Sequence, residues 1–394
     1  MYLFTEIYIF IVLNRYCYVA RMYHAGMSPT HVQGFLSALE IPSPSSSTIR
    51  EREREMLQHV EQVATESCSR GIEEEKRLST NSDGSLSGHI KYDMGWQMRG
   101  SGRSYNSASG VGTSIGEKSG KILAYDIKNR DCRLCSLAES GGKKPKEHNC
   151  RKNWEGSSKA IEPAAGAANA EKIEQQGLPV NVIIMDEDST TITKIRTTLQ
   201  HSVEKWSDMN HIRKHLGNAL YAIQKEHKKS LSTGAIKWLQ KCFSYAVVQN
   251  KGNTELVAKG IKNVVPHAFG EHTNCGTWCN YSADPQNYKH KNTPNGEDLA
   301  GDTLKEKLEK VFDQMAKNAS KIAPYASTKD VESFNNIVAS KAPKSRHYAA
   351  SESLSGRAAC AVAQKNIGIH YLTEVNAKAG LSPGKVFEQH AKAR

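Results

Sequence analysis

The chain reads VNVIIMDEDS from Val180 to Ser189, an apolar run that ends in three acidic residues. A short apolar run bounded by polar residues is typical of a buried β-strand. Asp186 is the first residue after this predicted strand, at the carboxyl end where the sites of α/β proteins collect. Asp188 is the alternative, although Asp188 and Ser189 also suit the cap of the following helix. The stretch therefore predicts a strand, a functional carboxylate and a helix in succession.

Two further acidic residues occupy regular elements far from this stretch. Asp93 lies in a strand-like run at 89–96, and Glu332 lies in a predicted helix near the C-terminus. Three carboxylates brought together would repel one another, and divalent cations relieve that repulsion. Two such ions about 4 Å apart can hold the attacking and leaving oxygens of a phosphoryl displacement. Asp93, Asp186 and Glu332 together predict a nuclease or transposase core that uses Mg²⁺ or Mn²⁺.

The elements around the three acids predict an α/β fold. The pattern predicts a three-stranded meander at residues 89–96, about 104–116 and 121–127, followed by an alanine-rich helix at about 157–176. A fourth strand at 180–185, a helix at 190–200 and a fifth strand at 203–206 follow. This order matches the ribonuclease-H-like fold, a mixed sheet flanked by helices. An α-helical insertion, with helices at 211–228 and 233–248, then precedes the last acid, Glu332.

The same pattern divides the chain into four parts. Residues 1–80 form a helical N-terminal region whose short helices could read DNA, and residues 88–210 form the first part of the core. Residues 211–325 form the helical insertion, and residues 326–394 complete the core. The apolar run Phe4–Leu13 is too short to cross a membrane and predicts a buried helix or strand, which would fit a chain truncated upstream.

Composition favours an acidic partner and a reducing compartment. The 394 residues carry 53 Lys and Arg against 41 Asp and Glu, a formal charge of +12 that favours nucleic acid. No other segment is apolar enough over ~20 residues to span a membrane. The nine cysteines occur in local pairs beside histidines, which favours metal sites over secreted disulfides.

Two groups of cysteine and histidine residues have zinc-like spacing. The first combines a Cys-x-x-Cys turn with a second pair in the loop 131–151, and its members are Cys132, Cys135, His148 and Cys150. The second, with less definite membership and with His290 nearby, consists of His267, His272, Cys275 and Cys279. Four such ligands suit tetrahedral Zn²⁺ in a structural role, because no coordination position remains open.

Asp208 and His211 are three residues apart, on one side of a starting helix. They could reach a phosphate or a metal, or Asp208 could simply cap the helix. Basic residues flank the acids in two further places. Arg99 and Arg103 lie in a predicted flexible, basic hairpin between the first strands, and a second group follows Glu332 at Lys341, Lys344 and Arg346. Both groups are candidates for phosphate contacts with DNA.

Several of these motifs resemble one known family. The stretches are DMGWQMRGSGRSYNS at 93–107, HNCRKNW at 148–154, QKCFSYA at 240–246, PHAFG at 266–270 and SKAPK at 340–344, together with 156–159, 186–191 and 205–208. They resemble the Mutator-like transposase domain proteins that are abundant in animal genomes, and the resemblance extends over roughly residues 88–375.

The resemblance implies a cut-and-paste DNA transposase with a ribonuclease-H-like DDE core. By position, Asp93, Asp186 and Glu332 would form the metal-binding triad, and Asp208 with His211 would match the Asp/Cys-x-x-His motif of such enzymes. It also implies double-stranded DNA partners at the transposon ends and the target, homo-oligomers when active, and a nuclear location.

Two departures from the family pattern leave an alternative function open. Met185 stands where Gly is expected before the acidic motif, and Val331 stands where Asn is expected before Glu332. Neither removes a carboxylate. The alternative to an active transposase is a catalytically inactive or domesticated transposase-derived DNA-binding protein, and a zinc-binding regulatory module is a third hypothesis.

Overall fold

The structure, a computed structural model, describes residues 17–98, 107–276, 279–290, 293, 296–382 and 384–392. The run Phe4–Leu13 and the basic residues Arg99 and Arg103 lie outside the described residues, so the predictions made for them stay predictions.

Five strands form one mixed sheet. They are β1 Gly88–Trp96, β2 Ser109–Gly116, β3 Ile122–Asn129, β4 Val180–Met185 and β5 Glu204–Ser207. The strand order is β3-β2-β1-β4-β5, with antiparallel pairing of β1 to β2 and of β2 to β3. The predicted meander and the predicted fourth and fifth strands are all present, so an α/β fold with a mixed sheet is confirmed.

The described α-helices are α1 Cys17–His24, α2 Pro29–Ala38, α3 Ser46–Ser79, α4 Arg133–Ser140, α5 Ser158–Gln175, α6 Ser189–Leu199, α7 Met209–Glu226, α8 Thr233–Gln249, α9 Thr254–Ala268, α10 Asp302–Lys317, α11 Ala319–Ile322, α12 Lys329–Lys341, α13 Ser353–Ile367, α14 Tyr371–Lys378 and α15 Lys385–Lys392. Helix α4 lies in a segment predicted as a loop. It buries no residue, and its two leucines, Leu134 and Leu137, are both exposed.

Glycine at position 112 allows α5 to pack directly on β2. Every residue of β2 is buried, and a Cβ atom at Gly112 would stand 2.7 Å from the Cβ of Ala165 on α5. It would also stand 3.0 Å from the Tyr92 hydroxyl. Glycine in a strand often marks such a close approach. The small residues of β2 and the alanines of α5 are therefore complementary surfaces.

The chain divides into two compact units. Unit 1 comprises Met1–Ile183, Ser189–Val203 and Lys329–Arg394. Its main apolar core combines residues of the N-terminal helices α1 and α3 with residues of β2, β3, α12, α13 and α14. Fully buried Ile49 and Val60 of α3 belong to the same core as Val111 of β2. The long helix α3 is therefore part of the unit that contains the meander.

Unit 2 comprises Ile184–Asp188 and Glu204–Thr328. Its core is built by α7, α8, α9, α10 and α11, with Leu216, Phe243 and Phe312 fully or almost fully buried. Apolar residues recur along these helices at the spacing that places them on one face. Unit 2 thus contains the helices predicted for the insertion at 211–325.

A buried arginine connects three segments of unit 1. Arg357 on α13 is 1% exposed. Its guanidinium donates hydrogen bonds to the Met27 carbonyl at 2.6 Å, the Lys341 carbonyl at 2.5 Å and the Ser353 hydroxyl at 3.0 Å. The planar fork of Arg can satisfy several acceptors at once. Arg357 therefore ties the N-terminal segment to the end of α12 and the start of α13.

Candidate active site and metal centres

Unit 1 places the Asp93 strand against the Glu332 helix. Asp93 lies on β1 opposite Thr113, and the Asn335 amide donates to its Oδ2 at 2.9 Å. Asn335 lies one turn after the exposed Glu332 on α12. Asn335 was not predicted as a site residue, although its spacing of three from Glu332 places it on the same side of the helix.

An ion pair makes a second connection between the same two elements. The Lys91 ammonium lies 2.6 Å from Asp330 Oδ2, and this contact lowers the pKa of Asp330. Lys91 precedes Asp93 by two residues, so both side chains leave the same face of β1. Two contacts therefore hold α12 along the strand that carries Asp93.

Unit 2 gathers Asp186, Asp208 and His211. The Nδ1 atom of His211 lies 2.5 Å from Asp186 Oδ1 and 2.9 Å from Asp208 Oδ2. Asp208 is also the N-cap of α7, since its side chain accepts from the backbone N–H of Asn210. The spacing of three thus places Asp208 and His211 on one side of the starting helix. The capping role and the contact with His211 coexist.

The acidic loop after β4 is held by residues of β5. Lys205 is 7% exposed, and its ammonium donates to the Asp188 carbonyl at 3.1 Å. Burial lowers the pKa of Lys205, and nearby Glu187 partly opposes the shift. The Ser207 hydroxyl donates to the Glu187 carboxylate. These contacts were not predicted, because they join residues on two different elements.

The four residues of the first Cys/His group, cluster 1, lie together in unit 1. The Nε2 atom of His148 is 3.2 Å from Cys132 Sγ and 3.6 Å from Cys135 Sγ, and Cys150 Sγ is 3.6 Å from Cys135 Sγ. The other ring nitrogen of His148 contacts the Lys146 carbonyl at 2.7 Å. Such a contact leaves Nε2 as the ligand atom.

One thiol of cluster 1 ionises readily. Burial raises the pKa of Cys132, but hydrogen bonds from the Cys135 and Leu134 backbones and from His148 outweigh it and lower that pKa to about 7. Cys132 directly precedes α4, and a position at a helix N-terminus lowers the pKa of a thiol. The thiolate is the form that binds metal ions.

The four residues of the second group, cluster 2, also converge, within unit 2. The Nδ1 atoms of His267 and His272 are 3.2 Å apart. Cys275 Sγ is 3.3 Å from His267 Nδ1, and Cys279 Sγ is 3.4 Å from His272 Nδ1. Burial lowers the pKa of His267 to about 3. Its ring is therefore neutral, which is the form that binds metals.

The separations in both clusters match the edges of a zinc tetrahedron. Bonds of about 2.3 Å to sulfur and about 2.0–2.1 Å to nitrogen imply ligand–ligand edges of about 3.3–3.8 Å. The sulfur–nitrogen and sulfur–sulfur separations in cluster 1 are 3.2–3.6 Å. In cluster 2 the two histidine nitrogens are 3.2 Å apart, and the sulfur–nitrogen separations are 3.3–3.8 Å. Both donor sets are consistent with Zn²⁺.

His290 lies beside cluster 2 and contacts it through a tyrosine. Its Nδ1 atom is 3.2 Å from the Tyr288 hydroxyl, which is 3.5 Å from Nε2 of His267. Its Nε2 atom is 3.0 Å from Asp298 Oδ1. Partners on the outer ring nitrogen of a metal-binding histidine fix its orientation. His290 therefore belongs to the surroundings of the four ligands.

The three basic residues after Glu332 have different environments. Lys344 and Arg346 are exposed, and Arg346 lies 3.0 Å from the His31 ring. Lys341 is 2% exposed, and its ammonium donates to the His24 carbonyl at 2.7 Å. This placement does not fit the phosphate-binding role predicted for Lys341, because the ammonium faces protein and not solvent.

Buried Lys341 gives the stability of the protein a specific pH dependence. Burial, opposed by Cys360 and reinforced by Arg357, lowers the pKa of Lys341 from 10.5 to about 8. Between these values the unfolded chain binds more protons than the folded chain, so the free energy of unfolding rises with pH, by up to about 3 kcal/mol.

Comparison with Lys341→Met isolates this contribution. Chemical denaturation below pH 8 and near pH 10.5 should show wild type gaining stability relative to the variant as the pH rises. A difference between the two proteins that stays constant with pH would contradict the assignment.

The chain matches one known family over most of its length. Among the described residues, no helix combines the length and apolar character needed to cross a membrane. No curated protein matches the chain. The model of the Mutator-like transposase family matches residues 11–279, well over half of the 394 residues. The matched range includes Asp93, Asp186, Asp208 and His211. The chain belongs to the Mutator-like transposase family.

Proposed function

We propose that this protein is a DNA transposase that cleaves phosphodiester bonds and transfers the freed strand in cut-and-paste transposition. Family membership supports an enzyme that acts on nucleic acid. The observation that carries the proposal is the placement of the predicted acids. Asp93 contacts the helix of Glu332 within unit 1, and Asp186 contacts the Asp208–His211 pair within unit 2.

The proposed core is ribonuclease-H-like. Support comes from the element order, which is a three-stranded meander, a helix, a fourth strand that ends directly before Asp186, a helix and a fifth strand. The helices of unit 2 then correspond to the proposed insertion before Glu332. The proposed division into a helical N-terminal region, a two-part core and an insertion follows the same order.

The proposed catalytic acids are Asp93, Asp186 and Glu332. Oxygen ligands of this type suit Mg²⁺ and Mn²⁺, and the Asp186 side chain is 40% exposed and so accessible to solvent ions. When bound, two such ions would supply an activated water and stabilise charge on the attacking and leaving oxygens. The three carboxylates would hold the ions, and Asn335 would orient Asp93.

The proposed partner is double-stranded DNA at the transposon ends and at the target. The charge of +12 favours a polyanion, and Lys344 and Arg346 are exposed after the Glu332 helix. Arg99 and Arg103, close to Asp93 in the sequence, are further proposed phosphate contacts. Homo-oligomers in the active state and a nuclear location complete the proposal.

The proposed role of clusters 1 and 2 is to bind structural Zn²⁺. Each supplies four nitrogen or sulfur atoms, all within 4.8 Å of one another. Four protein ligands leave no position for a substrate, which is the arrangement of structural zinc. Cluster 1 would stabilise the loop after β3, and cluster 2 the segment after α9.

Cys279→Ser tests the zinc proposal. Elemental analysis should find one zinc fewer per chain than in wild type. The free energy of unfolding should fall by several kcal/mol, because metal binding contributes directly to folding. Cys242→Ala is the matched control, since Cys242 is a buried thiol of unit 2 outside both clusters. Equal zinc content in wild type and Cys279→Ser would refute cluster 2 as a zinc site.

The test of the overall function is nicking of DNA that carries the element's own ends. Wild type with Mg²⁺ or Mn²⁺ should nick at the element boundary, and a chelator of divalent ions should stop the reaction. Salt-sensitive DNA binding without nicking would instead identify an inactive, DNA-binding member of the family. The substitutions Met185 and Val331 beside two of the acids are the observation that favours this second function.

A further inference from the structure

Thr328 makes a buried contact with Asp208 that sequence analysis did not predict. Thr328 is 1% exposed, and its hydroxyl donates to Asp208 Oδ2 at 3.1 Å. The two residues are 120 positions apart in the chain. A backbone hydrogen bond of 3.0 Å from Met209 N–H to the Ala326 carbonyl holds the two segments side by side.

The donors around Asp208 identify it as an orienting carboxylate and not as a metal ligand. Its oxygens receive the Thr328 hydroxyl, the Asn210 N–H at 3.1 Å and the His211 ring at 2.9 Å. The side chain is 0% exposed. A cation would have to displace these donors in a site closed to water, and a buried carboxylate is stable only while its hydrogen bonds persist.

His211 links the buried Asp208 to Asp186. Its Nδ1 atom faces Asp208 Oδ2 and Asp186 Oδ1 at once. Both neighbours are acceptors, so the hydrogen-bond pattern assigns the proton to Nδ1. The buried Asp208 fixes the orientation of the ring, and the ring in turn contacts one oxygen of the half-exposed Asp186. The orientation of the Asp186 carboxylate therefore depends on Thr328 through two intermediate side chains.

We propose that Thr328 and Asp208 are positioning residues that act through His211 to fix the Asp186 carboxylate for divalent-metal binding. The inference rests on the proposed function, in which Asp186 is a metal ligand, and specifies how the protein prepares that ligand. Partners of a metal ligand that fix its orientation typically change metal affinity about 10–100-fold when they are removed.

The matched pair Thr328→Val and Thr328→Ser tests the proposal in the full chain. Valine keeps the shape and removes the hydroxyl, whereas serine keeps the hydroxyl. Mn²⁺ titration followed by electron paramagnetic resonance, on protein already loaded with zinc, measures affinity without requiring cleavage. Thr328→Val should bind Mn²⁺ about 10–100-fold more weakly, and Thr328→Ser should bind it nearly as wild type does.

A second pair covers the outcome in which Thr328→Val fails to fold. His211 is 29% exposed in the first turn of α7, so His211→Ala is compatible with the fold. It should weaken Mn²⁺ binding as Thr328→Val does. His211→Asn can place an amide N–H near the position of Nδ1 and should restore part of the affinity. Wild-type affinity in His211→Ala would overturn the proposal.

The outcomes separate this inference from the proposed function. If Asp186→Ala loses Mn²⁺ binding but Thr328→Val does not, positioning by Thr328 is refuted while the metal site stands. If Thr328→Val weakens binding, serine restores it and the wild type still fails to nick DNA, the positioning inference holds and the transposase activity fails. If Asp186→Ala binds Mn²⁺ as tightly as wild type, both are overturned.

Discussion

Asp186→Ala is expected to reduce metal-dependent nicking of transposon-end DNA by at least about 10³-fold, because metal-ion catalysis supplies several kcal/mol of transition-state stabilisation. The variant removes a carboxylate whose neighbours are His211 and Asp208. Initial rates on end-labelled DNA measure the loss. Binding of the same DNA at several salt concentrations should be unchanged or slightly tighter, since a negative charge is removed.

Asp188→Ala is the control for Asp186→Ala. Both acids follow β4, but Asp188 directly precedes α6, and its carbonyl accepts from Lys205. We expect this variant to keep most of the nicking activity and to lose at most about 2 kcal/mol of stability, the upper cost of removing an N-cap, which is the other role predicted for Asp188. If Asp188→Ala abolished nicking and Asp186→Ala did not, the second catalytic acid would be Asp188.

Arg357→Leu is expected to lower the free energy of unfolding by about 3–5 kcal/mol, because each buried acceptor that loses its donor costs about 1–3 kcal/mol. The substitution leaves the Met27 and Lys341 carbonyls without their donor. It also removes a cation that lies over the Tyr23 and Tyr348 rings, 5.1 and 4.5 Å from their centroids. Chemical denaturation followed by circular dichroism measures the change.

Two variants sharpen the interpretation of Arg357→Leu. Arg357→Lys keeps the charge but cannot reproduce the planar fork, so it should be intermediate. Arg346→Leu, at an exposed arginine of the same unit, should change stability by less than about 0.5 kcal/mol. Equal stability of Arg357→Leu and Arg346→Leu would show that the buried network contributes nothing.

Local patterns were sufficient for most elements of this fold. The alternation at 89–96 and the apolar run at 180–185 predicted β1 and β4 to within a residue. Spacing alone also predicted that Asp208 and His211 share one side of a helix start. In each case a short stretch of chain contains the whole signal, since strand and helix periodicities act over a few residues.

Charge alone was misleading at Lys341. A lysine beside Lys344 and Arg346 is typical of a phosphate-binding segment, yet Lys341 lies on the buried side of α12, where it donates to His24. Which side of a helix faces the core depends on what packs against it. The partner of Lys341 is more than 300 residues away in the sequence.

The sequence by itself determined the α/β class, the candidate acids and the membership of cluster 1, whereas the four members of cluster 2 were settled only by the structure. These features can be predicted because strand and helix periodicities, and the turns that bring metal ligands together, involve only residues close in sequence. Only the tertiary structure decided that Asn335 contacts Asp93, that Thr328 supports Asp208, and that Arg357 joins three segments. Those contacts join residues distant in sequence, and their geometry comes from how whole elements pack.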